Sequence, residues 1–88
     1  MAAEKIDRFF GDFIRTKRNQ LEITQERIAE LIGISTVQYR NIEKGKTRSN
    51  WVTIVKICLV LRIDITYFAE IYIKPEINEV GKFLGVEV

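Results

Sequence analysis

The stretch from Thr24 to Gly45, TQERIAELIGISTVQYRNIEKG, most limits what this chain can fold into. It reads as two short helices joined by a tight turn. Thr24 is an N-cap residue, whose hydroxyl can accept one of the unpaired amides of a first helical turn. Ile28, Ala29, Leu31 and Ile32 follow at helical spacing, with Glu26, Arg27 and Glu30 on the opposite side. Gly33 stands just past the last apolar residue, where a left-handed residue closes a helix without steric cost. Ser35 caps the next helix, Tyr39 and Ile42 give it an inward face, and Gly45 ends it. The outer face of that second helix is left free. On pattern alone, a helix hairpin within a bundle fits as well, because a fold does not fix a function.

The rest of the chain narrows the class. Eighty-eight residues suit one domain with a modest core. Apolar residues make up 47% and charged residues 30%, as in a water-soluble globular protein rather than a disordered one. The longest apolar run, Ile57 to Leu61, is too short to span a bilayer. No secretory signal is legible, and a single cysteine, Cys58, cannot form an internal disulfide, so a reducing cytoplasm is the expected compartment. Histidine is absent. That removes Ser-His and Cys-His nucleophiles and histidine metal sites. Glu26 and Glu30 stand one helical turn apart, but no partner chemistry accompanies them. No catalytic residue, metal or cofactor is expected.

Charge is divided unevenly. Residues 1–63 carry 12 Lys/Arg against 7 Asp/Glu, a balance of +5; residues 64–88 carry 2 against 5, a balance of −3; together they give the net +2. Arg40, Lys44, Lys46 and Arg48 cluster at the end of the second helix of the pair, as contact with phosphates requires.

Five helices are predicted in a compact all-α domain over residues 1–71, at about 7–19, 24–32, 35–44, 51–61 and 65–71. Asp7 is the expected cap of the first. Gly11 weakens that helix by about 1 kcal/mol against alanine, which suggests close approach of another element. In the fourth helix, Trp51, Ile54, Ile57, Cys58 and Leu61 form a core stripe, while Val52, Val55 and Leu59 form a second apolar stripe that needs cover. Residues 72–88 form a C-terminal extension. Pro75 suits the first turn of an extra helix, and Gly85 to Val88 alternate like a short strand. Ile77, Val80, Phe83 and Leu84 are expected to cover Phe9, Val52, Val55 and Leu59, within one subunit or across a dimer.

Gln25-Glu26, Ile28-Ala29, Gly33-Ile34-Ser35, Tyr39, Ile42-Glu43 and Gly45 resemble, position for position, the Xre-type (phage-repressor-like) helix-turn-helix family. The resemblance runs from about Ile14 to about Phe68. It implies a regulator of transcription, most simply a repressor, that binds double-stranded DNA as a homodimer, with helix 35–44 in the major groove. The base-reading candidates are Thr36, Val37, Gln38, Arg40 and Asn41. Gln38 and Asn41 suit adenine, Arg40 suits guanine, and Val37 and the Thr36 methyl suit a thymine methyl. The resemblance places bases most often opposite Thr36, Val37 and Asn41, with phosphates the alternative for Gln38 and Arg40. Gln25 and Ser35, at helix N-termini, and Lys44, Lys46 and Arg48 are the phosphate-binding candidates. The resemblance also implies an ion pair between Arg18 and Glu43. It leaves a second class open, because the same fold serves antitoxins and restriction-modification controllers that bind a protein partner.

Overall fold

The computed structural model describes residues 4–85, and among them every regular element is helical. α1 spans Lys5–Gln20, α2 Gln25–Ile32, α3 Thr36–Glu43, α4 Trp51–Val60 and α5 Ile65–Phe68. A π-helical segment, Ala69–Ile73, then runs into α6, Lys74–Leu84. The strand-like pattern at 85–88 lies outside the described residues except for Gly85, which ends α6 in a left-handed conformation.

Side-chain caps punctuate the chain. Thr24 accepts the Arg27 amide, Asn50 the Thr53 amide and Asp64 the Thr66 amide. Gly33, at φ 79°, closes α2, with its own amide and that of Ile34 both bonded to the Ala29 carbonyl. α1 departs from expectation: it begins after Glu4, which makes no side-chain cap, and Asp7 lies within its first turn.

The core joins α1 to α4 through Ile14, Ile28, Ala29, Ile32, Tyr39, Ile42, Ile57, Cys58, Leu61 and Ile63, all buried. Leu31, placed on the inner face by its spacing, is 51% exposed. Gly11 marks where α1 crosses the end of α3. A Cβ there would collide with the Glu43 carbonyl oxygen and stand 2.7 Å from that of Ile42. The glycine is thus required by a helix crossing at backbone distance.

A second, aromatic layer ties α1 to the C-terminal helices. Phe10 meets Phe68 edge-on at 5.4 Å, Phe13 meets Phe68 at 5.7 Å, and Phe9 lies 4.9 Å from Tyr72. Phe9 is therefore covered by Tyr72 rather than by the tail residues expected to reach it.

Two further expectations are corrected. Trp51 is 75% exposed, because the first turn of α4 overshoots the core; Ile54, Ile57, Cys58 and Leu61 hold the stripe without it. The fifth helix does not stop before the tail. Pro75 has no amide to give the carbonyl of Ile71, and its ring crowds that turn. The helix accommodates it by widening, and the Lys74 amide reaches back to the Ala69 carbonyl. The continued helix leaves the body of the molecule, which measures 45 × 29 × 20 Å. Of the α6 residues only Gly81 is buried. Ile77, Val80, Phe83 and Leu84 do not cover α4 within the chain: they are 44%, 59%, 92% and 67% exposed, and Val52, Val55 and Leu59 also remain exposed.

Candidate nucleic-acid interface

α2 and α3 hold their relative position through one polar network. Arg18 of α1 donates through Nε to Glu43 Oε2 at 2.6 Å, through Nη2 to Glu43 Oε1 at 3.2 Å, and through Nη1 to the Ile23 carbonyl. Gln25, the first residue of α2, donates through Nε2 to Glu43 Oε1 at 3.1 Å. Its Oε1 accepts from Arg40 Nε, and Arg40 Nη2 continues to Glu26. Helices α1, α2 and α3 are thereby joined from a buried carboxylate outward to an exposed guanidinium.

Burial alone would raise the Glu43 carboxyl pKa. Hydrogen bonds from Arg18 and Gln25, together with the nearby Arg18 charge, outweigh burial and hold it below the ordinary value. The Tyr39 hydroxyl faces the same carboxylate without reaching hydrogen-bonding geometry, and burial, then Glu43, pushes its pKa far up.

The outer face of α3 carries the sequence candidates in three states. Thr36 and Asn41 are half-buried and Val37 is 63% exposed, and none of the three side chains makes a hydrogen bond within the described protein. Gln38 is committed to a capping box: Ser35 Oγ accepts the Gln38 amide at 3.1 Å, and Gln38 Oε1 accepts the Ser35 amide at 2.8 Å. Arg40 turns toward α2, as above, so its guanidinium is shared before any base is met. The phosphate candidates divide likewise. Lys44 and Lys46 are exposed and carry no ion pair among the described residues. Ser35 is occupied as a cap and the Gln25 side chain is held at both ends. Arg48 donates to both carboxylate oxygens of Asp7, at 2.8 and 3.3 Å. Sequence reasoning gave Asp7 no such role, because the two residues belong to different elements.

The helix-turn-helix family profile matches residues 14–68, well over half of the chain. The chain belongs to the Xre-type helix-turn-helix family. This is a family of DNA-binding transcriptional regulators. An HTH-type transcriptional regulator of Sinorhizobium medicae is 32% identical over 65 residues, which cover 74% of this chain and 47% of that protein. A transcriptional regulator in the ATPase CF(0) region of Rhodospirillum rubrum is 32% identical over 63 residues, covering 72% and 58%. The chain thus spans about half the length of the curated relatives it matches. Among solved structures, the restriction-modification controller protein C.AhdI from Aeromonas hydrophila superposes with a TM-score of 0.62 at 28% identity, over 66% of this chain and 84% of that one. The clp gene regulator ClgR from Corynebacterium glutamicum superposes with a TM-score of 0.70 over 94% of each chain; at 14% identity this is a likeness of fold. Among the described residues no helix is long and apolar enough to cross a membrane.

Proposed function

We propose that this helix-turn-helix protein reads double-stranded DNA by placing α3 in the major groove, and that it represses transcription in the cytoplasm by occupying an operator. The observation that carries this reading is the surface of α3: among the described residues, Thr36, Val37 and Asn41 stand unengaged on a helix locked by the Arg18–Glu43–Gln25 network, next to the exposed cations Lys44 and Lys46. Asn41 suits adenine, and Val37 and the Thr36 methyl suit thymine. Lys44 and Lys46 supply phosphate contact along one wall, and the amides at the start of α2 and α3, by Gln25 and Ser35, offer it on the other. Gln38 and Arg40 join the base contacts only by leaving their present partners.

Residues 1–71 are the DNA-reading domain and 72–88 the extension that pairs two copies. The outer stripe of α4 and the apolar edge of α6 are exposed in the single chain. Leu59 at 73% and Phe83 at 92% exposure are the large side chains that such a pairing would cover. A homodimer would set two half-sites about 34 Å apart. A second reading uses the same apolar faces to hold a different protein, as an antitoxin or controller does. The likeness to C.AhdI, itself described as a restriction-modification controller protein, favours keeping it.

Selection of bound sequences from a random duplex library at two salt concentrations tests both. An inverted repeat with half-sites one helical turn apart is the expected result. A single half-site would remove the dimer. No enrichment at low salt, from folded protein, would remove the DNA reading and favour the protein partner.

A further inference from the structure

A cavity of about 470 Å³ lies between α1, the loop after α3 and the π-helical segment. Its size falls within the roughly 300–1,000 Å³ of small-molecule sites. Phe10, Ile54, Ile65 and Ile73 supply apolar wall, together with Ile42 from the inner side of α3. Its mouth is polar. There the Asp7 side chain, 14% exposed, meets Arg48, which is 57% exposed, with Glu76 of α6 on the same rim. Asp7, then Glu4 and Glu76, all act on this one guanidinium and raise its pKa. The charged residues lining the cavity are thus two carboxylates, Asp7 and Glu76, and one guanidinium, Arg48.

The geometry has a consequence for Arg48. Released toward a DNA phosphate, it would strand the largely buried Asp7 carboxylate, which is costly unless another cation replaces it. We propose that the cavity binds a small amphipathic cation, its apolar body against Phe10, Ile42 and Ile54 and its ammonium on Asp7, and that this binding frees Arg48 for phosphate. Ligand and DNA are then linked with positive sign, and by reciprocity each tightens the other. The linkage rests on the DNA reading above; occupancy of the cavity does not.

The test titrates the full chain, without DNA, with n-octylamine, 1-octanol and octanoate, followed by amide and methyl NMR shifts. Octylamine is expected to saturate and to shift Ile42, Ile54 and Ile65. Octanol is expected to bind about tenfold more weakly and octanoate more weakly still, since the charged contact is lost or reversed. Asp7→Asn removes the advantage of the amine over the alcohol, and Ala69→Leu, which narrows the cavity, weakens both ligands. With operator DNA, octylamine raises affinity and steepens the salt dependence by about one ion, and Arg48→Ala abolishes both effects. No shift at the cavity, equal binding of octanoate, or an unchanged amine preference in Asp7→Asn overturns the site. It is also overturned if the same shifts arise from raised protein concentration and vanish in Phe83→Ser, which would make the occupant a side chain of a second copy. Cavity binding with no effect on DNA affinity overturns the release of Arg48 and leaves the DNA reading standing.

Discussion

Replacing Glu43 by alanine tests the joint on which the presentation of α3 depends. The Glu43 side chain is 3% exposed and receives three hydrogen bonds, two from Arg18 and one from Gln25. Arg18 is itself only 12% exposed. Truncation leaves that guanidinium bonded to the Ile23 carbonyl and without its carboxylate. Breaking a buried pair from one side costs about 3–5 kcal/mol; the slight exposure of Arg18 puts the expected loss near the lower end, about 3. For a domain of this length each kcal/mol moves the melting midpoint by about 4–8 °C. Thermal melts followed by far-UV circular dichroism should therefore fall by roughly 12–24 °C in Glu43→Ala. The double variant Arg18→Met, Glu43→Leu should recover most of that loss, because an apolar pair carries no stranded charge. A midpoint within 3 °C of wild type in the single variant, or a double variant no better than the single, would show that the pair is solvated and that the reasoning is wrong.

The same carboxylate gives stability an acid limb. Because the Glu43 pKa is lowered in the folded state, its contribution is complete above the unfolded carboxylate value near about 4.3 and is lost as pH falls through the folded value; the stability gap between wild type and Glu43→Gln should narrow in urea melts taken below pH 4.5. Gly11→Ala should destabilise despite alanine's better helix propensity, since the new methyl meets backbone carbonyls that cannot move without separating α1 from α3; a midpoint raised by the substitution would refute that crossing. Asn41→Ala should cost about 1–3 kcal/mol at particular base pairs and relax preference there, whereas Lys46→Ala should weaken all sequences alike and flatten the salt slope by about one, in fluorescence titrations against a set of altered operators. Phe83→Ser with Leu84→Ser should shift sedimentation from dimer to monomer while leaving the melting midpoint of the monomer nearly unchanged; a dimer that survives both changes would place the contact elsewhere.

The α2–turn–α3 unit was legible because its instructions are local: Thr24, Gly33 and Ser35 each act within a few residues of themselves. Gly11 was legible in part, as a glycine too costly for a helix without a reason, though not which backbone it faces. The Arg18–Glu43 contact came into view only through family resemblance, as no spacing rule links residues in separate helices. Trp51 misled because helical phase places it with Ile54 and Cys58, and phase is blind to where a core ends. Pro75 gave a sound signal: it stands in the first turn of α6, as expected. What it did not announce is that α6 continues the preceding helix, through a turn widened before the proline. The engagement of Arg40 and Arg48 was invisible because a side chain's charge announces what it can bind, not what it already holds.

That widened turn has a consequence for how such a protein can change over generations. One residue gained or lost in a helix swings everything beyond it through about 100°. At Ala69–Ile73 the chain already tolerates irregular winding, so a length change there would re-aim the edge formed by Ile77, Val80 and Phe83 while leaving residues 14–68 as they are. On the proposed pairing through α6, the segment would act as an indexing joint between a reading head and its grip. Descendants would then explore new spacings between recognised words without altering the words themselves.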